Sequence, residues 1–255
     1  IKMAGTLTKN DVVDGGSGTN TLTMNAASLS DQFTNVSNIN TVSFNDSGAA
    51  VSVDASKLAA GVEEIILTLK DDDNSGTALT SATASGNALA NAVTNLGTQK
   101  VVVTRAGEDL DVTGQINATI TGVTDTDDDT VSVDVKAVGV NGDGNADADG
   151  DEFGFGELNV GNYETVNLAS IKSSTISANE MATLTATSAK TVNISGDADL
   201  TIGSVGGGAM TAFDASGLAG KLTVTFADAD KVTATAAQKD TTFAFGATLD
   251  NNDTV

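Results

Sequence analysis

A five-residue strand pattern that recurs along the chain is the feature that most restricts its fold. The pattern has two polar residues, an apolar residue, any residue, and a second apolar residue. It occurs at 40–44 (NTVSF), 63–67 (EEIIL), 99–103 (QKVVV), 164–168 (ETVNL) and 190–194 (KTVNI). Alternation with period two is typical of half-buried β-strands. One such unit cannot bury its apolar face alone but stacked units can, so the repeat predicts a solenoid.

A second repeat, apolar–Asp/Asn–Ala–Ala/Ser–x–Leu, predicts a corner between strands. It occurs at 24–29 (MNAASL), 53–58 (VDASKL) and 213–218 (FDASGL). The two repeats together predict an all-β fold, as a parallel β-helix or β-roll. A β-sandwich is the alternative, because it also contains many short strands. An Ala-rich stretch at 78–96 predicts one helix, and a turn is expected at 177–182.

The residue types that are missing restrict both fold and chemistry. Pro, Cys, His and Trp are all absent. A chain without Pro keeps every ladder hydrogen bond available for long β-stacking. Without Cys and His there are no disulfides, no thiolate or Ser-His-Asp nucleophiles and no usual zinc sites. Paired carboxylates could hydrolyse glycosides, but aromatic residues are only 4% and offer little surface to a sugar. We therefore predict that the chain is not an enzyme.

The charge balance excludes two classes of partner. The chain has 12 basic and 34 acidic residues, for a net charge of −22. Nucleic acids and anionic lipid surfaces attract basic proteins, so we expect neither partner, and no apolar run is long enough for membrane insertion. Crowded carboxylates repel one another unless cations neutralise them, and Ca²⁺ binds several oxygen ligands. A solvated acidic surface, as in a salt-adapted organism, is the other interpretation of this charge.

The sharpest local motif lies at 10–22 (NDVVDGGSGTNTL). It is a close form of the glycine-rich repeat that binds calcium in parallel β-helices. Glycines allow the tight turn and leave carbonyl oxygens free, while a side-chain oxygen completes the ligand shell. Asn20 stands where Asp is usual, which lowers the local negative charge. The motif predicts a calcium site here, and an ordinary Gly-rich hairpin turn is the alternative.

Three acidic segments are further candidates for calcium. In the loop at 141–152, Asn145, Asp147 and Asp149 have the 1-3-5 spacing of an EF-hand-like loop, and Gly150 follows at position 6. Position 12 is Gly156 in place of Glu, so the pattern predicts a calcium loop but not an EF-hand. Each segment either binds metal or faces water as a solvated turn. The candidate ligands are Asp71 and Asp73; Asp125, Asp127 and Asp129; and Asp143, Asn145, Asp147, Asp149 and Asp151.

Two stretches resemble a known family. The turn at 15–20 (GGSGTN) resembles an RTX nonapeptide, and 183–218 resembles the C-terminal region of Caulobacter-like bacterial S-layer proteins of the RTX type. The shared signature is a Thr-rich strand, Ser-Ala-Lys, an apolar strand, Ser-Gly-Asp-Ala and Phe-Asp-Ala-Ser, and 164–168 matches that family's recurrent strand. The resemblance implies a calcium-rich β-solenoid, type I secretion and calcium-dependent assembly into a two-dimensional lattice. By matching motif it implies that calcium binds at Asp11, Asp14, Gly16, Gly18 and Asn20.

These observations predict an organisation and a function. We expect a segment of a longer chain, with solenoid-like parts at 1–140 and 158–255, an acidic calcium-loop insertion at 141–157, and a further RTX repeat beginning at 252. The predicted function is a structural, calcium-dependent, self-assembling segment of an extracellular S-layer on the cell surface. Its expected partners are copies of itself and, through another domain, a cell-surface polysaccharide. The alternatives are a stalk or ligand-binding region of an RTX adhesin, an accessory β-roll of a secreted enzyme, and a filament subunit.

Overall fold

The computed structural model describes residues 1–3, 7–24, 33–45, 51–69, 89–105, 116–123, 128–137, 153–174, 177–227, 231–245 and 253–255. These ranges hold twenty strands and one 3-10 turn, at Ala55–Lys57. The first ten strands are β1 (Lys2–Met3), β2 (Val13–Asp14), β3 (Thr21–Met24), β4 (Val36–Ser37), β5 (Thr41–Asn45), β6 (Ser52–Asp54), β7 (Glu64–Leu69), β8 (Leu89–Leu96), β9 (Lys100–Arg105) and β10 (Ile116–Gly122). The others are β11 (Thr130–Ala137), β12 (Phe153–Gly161), β13 (Thr165–Ile171), β14 (Ala178–Thr185), β15 (Thr191–Gly196), β16 (Asp199–Gly206), β17 (Ala212–Leu218), β18 (Leu222–Phe226), β19 (Thr233–Thr235) and β20 (Thr241–Ala244).

Successive strands alternate between two parallel sheets. The odd-numbered strands, from β1 to β19, form a ten-stranded sheet in chain order, and the even-numbered strands from β6 to β20 form an eight-stranded sheet. A separate small sheet joins β2 to β4. Every strand pairing within the described ranges is parallel. This confirms the all-β, parallel, solenoid-like prediction and decides against the sandwich, whose sheets are antiparallel.

Inward-facing side chains stack into continuous apolar columns between the two sheets. In the ten-stranded sheet one column holds residues at successive register positions, each at most 1% exposed: Leu22, Val42, Ile65, Val101, Val133, Leu168 and Ile194. In the eight-stranded sheet Val53, Val93, Ile120 and Val160 form a similar column. Burial of each such side chain stabilises the fold by about 1.5–3 kcal/mol. We call the chain from one strand of the ten-stranded sheet to the next a coil. The core therefore runs along the direction in which the coils stack.

The five copies of the strand pattern all lie in the ten-stranded sheet, but in two registers. Val42, Ile65 and Val101 are aligned with one another, as Val166 and Val192 are. Through Val133 on β11, however, Val101 aligns with the second apolar position of the fourth copy, at residue 168. The offset is two residues. Because side chains alternate with period two, this shift keeps every apolar residue on the inward face.

The prediction of a helix at 78–96 is wrong where the structure describes it, because Leu89–Leu96 is strand β8. Asn91 and Val93 are buried whereas Thr94 is only partly buried, as alternation along a strand requires. The Asn91 Oδ1 atom also accepts a hydrogen bond of 2.8 Å from the Val51 amide. Pairing with β6 and β10 on either side outweighs the helix propensity of the Ala residues. Residues 78–88 lie outside the described ranges, and the turn expected at 177–182 falls largely within strand β14.

The Asp-Ala-Ser repeat makes one local hydrogen bond in two different settings. Asp54 caps the 3-10 turn, and its Oδ1 accepts from the Ser56 amide at 3.1 Å. Asp214 Oδ1 accepts from the Ser216 amide at 2.9 Å, but inside β17, where the register with β15 shifts at a bulge. The predicted corner therefore forms at 53–58, and the copy at 213–218 is a bulged strand. In the remaining copy, at 24–29, residues 25–29 lie outside the described ranges.

Both sheets continue across the acidic insertion. Strand β10 pairs with β12 and β11 pairs with β13, so coils on the two sides of 141–152 are hydrogen-bonded directly to each other. Residues 141–152 themselves lie outside the described ranges, and β12 begins at Phe153. In the part of the chain that is described, no helix has the length and apolar character needed to cross a membrane.

Candidate metal site

The predicted calcium turn links β2 to β3 at one corner of the first coil. The Gly15 amide donates to the Ser37 carbonyl at 3.0 Å, which ties the turn to the next coil. A Cβ atom at Gly15 would lie 2.1 Å from the Asn38 carbonyl oxygen, so no larger residue fits there. Gly16 and Gly18 have φ values of 72° and 91°, which L-residues other than Gly rarely adopt. The glycine pattern of the motif thus has a direct structural reason.

Two glycine carbonyls converge on the side chain of Asn20. Its Nδ2 atom donates to the Gly18 carbonyl at 3.1 Å and to the Gly16 carbonyl at 3.4 Å. The Asn20 backbone amide donates to Asn40 Oδ1 at 3.0 Å. In the calcium-binding form of the motif, free carbonyl oxygens and the side chain at position 20 surround a cation. The same groups meet in this turn, but the Asn20 side chain directs an N–H donor at the carbonyls.

Asp14 belongs to the same turn. Its Oδ1 atom accepts from the Asn38 Nδ2 atom at 2.7 Å and from the Gly16 amide at 2.9 Å. The hydrogen bond from Asn38, followed by that from Gly16, lowers the pKa of Asp14 below the usual value for Asp. The carboxylate is therefore ionised and already has two N–H partners. The structure brings Asp14, Gly16, Gly18 and Asn20 together.

Asp11, the remaining residue of the predicted set, lies just before strand β2. Its Oδ2 atom accepts from the Thr8 amide at 2.7 Å and from the Thr8 hydroxyl at 3.0 Å. These two hydrogen bonds, the backbone one first, lower the pKa of Asp11. The carboxylate thus closes a local turn with Thr8, on the N-terminal side of the glycine-rich segment.

Asp129 lies at a corner where two coils meet. Its carbonyl accepts from the Glu164 and Thr165 amides at 3.0 Å each, and its amide donates to Glu164 Oε2 at 3.0 Å. The charge of Asp129 also acts on Tyr163. Burial first, and then this negative charge, raise the pKa of Tyr163 to about 12. The backbone of Asp129 therefore joins two neighbouring coils through hydrogen bonds.

The other predicted ligands lie outside the described ranges: Asp71, Asp73, Asp125, Asp127, Asp143, Asn145, Asp147, Asp149 and Asp151. Calcium binding at these segments stays a prediction. Within the described ranges, no group of three or more Asp, Glu, His or Cys side chains is placed to hold a metal ion. The oxygen atoms that accept hydrogen bonds at the glycine-rich turn belong instead to the Gly16 and Gly18 carbonyls, the Asn40 carboxamide and the Asp14 carboxylate.

Two residues of the turn were not predicted from the sequence. Asn38 has a φ of 55° and donates to Asp14, and Asn40 accepts from Asn20. A signal for Asn40 exists, because Asn20-Thr21-Leu22 and Asn40-Thr41-Val42 are the same local pattern one coil apart. Asn38 has no such counterpart, although Asn is the non-Gly residue that best tolerates positive φ.

A scan against protein-family models matches none, and searches of curated proteins and of solved structures find no significant match.

Proposed function

We propose that this chain is a structural, non-enzymatic segment of an extracellular S-layer, which assembles from copies of itself in a calcium-dependent way. The observation that supports the proposal best is the unbroken parallel pairing of the coils, from β1 to β19 in one sheet and from β6 to β20 in the other. Such stacking gives a body whose length grows with the number of coils. A repetitive body of this kind would suit a subunit of a two-dimensional coat.

Rigidity in the solenoid comes from its ladders and its core. Each inner strand is hydrogen-bonded on both sides, and the inward columns are apolar with side chains such as Ile65 and Leu168 fully buried. A Cys-free extracellular chain has no disulfides to add. Large exposed apolar side chains among the described residues are few: Ile1, Val12, Val123 and Val255. On this described part of the surface, contacts between copies would therefore depend on polar and charged groups.

Calcium provides the link between charge and assembly in this proposal. The net charge of −22 opposes close approach of copies unless cations screen or bridge the carboxylates. The acidic segments at 71–73, 125–129 and 143–151 would bind calcium, which is scarce inside cells and plentiful outside. Binding free energy then contributes to folding and assembly only after export.

The test is a calcium titration of the chain with and without EGTA, followed by far-ultraviolet circular dichroism and light scattering together. The proposal expects β structure followed by large particles as calcium rises. Formation of β structure without particles would move the adhesin and accessory-module alternatives ahead. A chain that is folded in chelator and shows no calcium response in either signal would refute the calcium-dependent proposal.

Matched variants separate specific binding from general charge. The double variant Asp147→Asn/Asp149→Asn should shift the calcium response to concentrations about tenfold higher, since affinity depends on ligand charge. The control Glu63→Gln/Asp240→Asn removes the same number of charges from two exposed positions. Equal shifts in the two variants would show that only net charge matters.

A further inference from the structure

The Asn20 side chain stands at the point of the glycine-rich turn where two backbone carbonyls need a positive partner. Its Nδ2 atom lies 3.1 Å from the Gly18 oxygen and 3.4 Å from the Gly16 oxygen. We infer that the Asn20 carboxamide takes the place of a bound cation, so that this turn closes without calcium. The same carbonyls would accept a divalent cation if position 20 carried a carboxylate.

The orientation of the carboxamide follows from its surroundings. An oxygen atom at the Nδ2 position would face two carbonyl oxygens, and three acceptors without a donor repel one another. The two N–H groups of the amide supply a donor for each carbonyl. They satisfy the oxygen atoms that the motif otherwise presents to calcium.

Close packing limits any other position of this side chain. A Cβ atom at Gly15 would lie 2.9 Å from both the Cβ and the Cγ atoms of Asn20, so the side chain lies directly on the Gly15 backbone. The Asn20 amide is bonded to Asn40 Oδ1 in the next coil. The side chain is thus held on one side by the turn and on the other by the second coil.

The one carboxylate of the turn, that of Asp14, already has hydrogen-bond donors within the protein. Asp14 Oδ1 accepts from Asn38 Nδ2 at 2.7 Å and from the Gly16 amide at 2.9 Å. A calcium ion entering the turn would have to displace N–H donors from the Gly16 and Gly18 carbonyls and rotate the Asn20 amide. Every hydrogen bond lost in that exchange weakens calcium binding.

This inference goes beyond the proposed function and does not depend on it. Calcium at the acidic segments can drive folding or assembly while the glycine-rich turn is closed by amides alone. The two regions then have different roles: in the folded chain the glycine-rich turn closes without a calcium ion of its own, and the acidic segments carry the calcium response.

The test compares the number of calcium ions bound by the wild-type chain and by Asn20→Asp, using native mass spectrometry in calcium. Because both chains are compared in calcium, the comparison holds whether or not the chain needs calcium to fold. We expect Asn20→Asp to bind one more ion than the wild type. The control Asn35→Asp adds the same charge at an exposed Asn that donates to a single carbonyl, that of Lys9 at 2.9 Å. The control should bind the same number of ions as the wild type.

An equal number of ions in Asn20→Asp and wild type would overturn the inference, since either the wild-type turn already holds calcium or its carbonyls accept none. A gain in both variants would also overturn it. If Asn20→Asp does not fold, nuclear magnetic resonance of the wild type decides. The Asn20 side-chain NH₂ signals should keep their shifts between chelator and calcium, or, if the chain folds only in calcium, should show slow exchange with solvent there. Calcium-dependent displacement or loss of these signals would contradict the inference.

Discussion

The Nζ atom of Lys100 lies 2.7 Å from Oδ2 of Asp134 on the neighbouring strand β11, and 3.2 Å from Oε2 of Glu64 on β7. One cation therefore bridges three adjacent strands on the outer face of the ten-stranded sheet. Partial burial acts to lower the pKa of Lys100, but hydrogen bonds and Coulomb attraction from Asp134 and Glu64 outweigh it, so the pKa is raised. In a chain with few basic residues, this lysine separates two carboxylates that would otherwise repel each other.

The first prediction concerns loss of this bridge. Lys100→Met should lower the free energy of unfolding by about 1 kcal/mol, the upper end for partly exposed ion pairs, because Glu64 and Asp134 lose their shared partner. Urea unfolding at neutral pH measures the change. Lys221→Met is the matched control, since its 3.8 Å pair with Asp240 has side chains 60% and 90% exposed. The control should change stability by less than about 0.5 kcal/mol, and equal effects would contradict the bridging role.

The ion pairs of Lys100 with Glu64 and Asp134 make the free energy of unfolding depend on pH. The direction of this dependence follows from the raised pKa of Lys100. A lysine whose pKa is higher in the folded state stabilises the fold fully at pH values below its unfolded pKa, for which the usual value is 10.5. The contribution is lost as pH rises through the folded pKa. The stability difference between the wild type and Lys100→Met should therefore shrink above about pH 10.5. A difference that stays constant across this range would show that the lysine acts through packing alone.

Ionisation of Tyr163 should also change the stability at alkaline pH, and this ionisation can be observed directly. Its side chain is 3% exposed, and its hydroxyl donates to the Leu96 carbonyl at 3.3 Å. Burial, with a smaller effect of Asp129, raises its pKa to about 12 from the usual value of 10.0. The unfolded chain releases this proton first, so folding should lose on the order of 2 kcal/mol of stability as pH rises from about 10 to about 12.

The measurement uses the ultraviolet absorbance of tyrosinate, which is unambiguous because the chain has one Tyr and no Trp. The titration midpoint should be near 12 in buffer and near 10 in urea. Tyr163→Phe removes the titrating group and should remove that share of the alkaline loss. A native midpoint near 10 would show that the ring is accessible to solvent.

Close approach of the coils makes some glycines irreplaceable. Gly196, at the end of β15, has a φ of +109°, and a Cβ atom there would lie 2.0 Å from the Ser170 carbonyl oxygen. Gly196→Ala should therefore cost about 3 kcal/mol or more, through both backbone strain and displacement of the neighbouring strand. A Cβ atom at Gly206, at the end of β16, would have no other atom within 4 Å, so Gly206→Ala should change stability by about 0.5 kcal/mol or less. Similar melting temperatures for the two variants would contradict this account.

The sequence predicted the stacking but not the details of each coil. Period-two alternation predicts that Val42, Ile65 and Val101 face inward, because alternate residues of a strand point to the same face of the sheet. The two-residue offset at Val133 depends on which strands pair, and no local pattern specifies it. The same limit explains β8, where neighbouring strands decide the conformation of an Ala-rich segment.

The glycine-rich turn was likewise predicted only in part from the sequence. The motif identified the residues that meet, since Gly16 and Gly18 are required by their positive φ values. It could not show that the side chain at position 20 directs an N–H group at their carbonyls. That result depends on the Asn40 side chain in the next coil, which lies outside the motif, and on a contact with Gly15 that the residue pattern does not specify.

The last prediction concerns a polar pair inside the core. Ser170 and Asn179 are 0% and 1% exposed, and Asn179 Nδ2 donates to Ser170 Oγ at 2.8 Å and to the Val135 and Ile171 carbonyls at 3.3 Å each. Asn179→Asp would place a carboxyl group among these oxygen atoms. At neutral pH it should cost about 3 kcal/mol or more, because the buried charge has no partner. Asn179→Leu, of similar size and without charge, should cost about 1 kcal/mol.

Acid should relieve the Asn179→Asp defect, which distinguishes buried charge from altered shape. Burial raises the pKa of a carboxyl group, so the folded variant binds more protons than the unfolded chain and gains stability as pH falls toward about 4. Asn159→Asp, on the outer face of β12 between Thr119 and Thr185, is the control and should cost about 0.5 kcal/mol or less. Urea unfolding at neutral and acid pH measures all three variants. If Asn179→Asp is no more sensitive to pH than Asn179→Leu, then water reaches this corner of the core and the pair is not buried in solution.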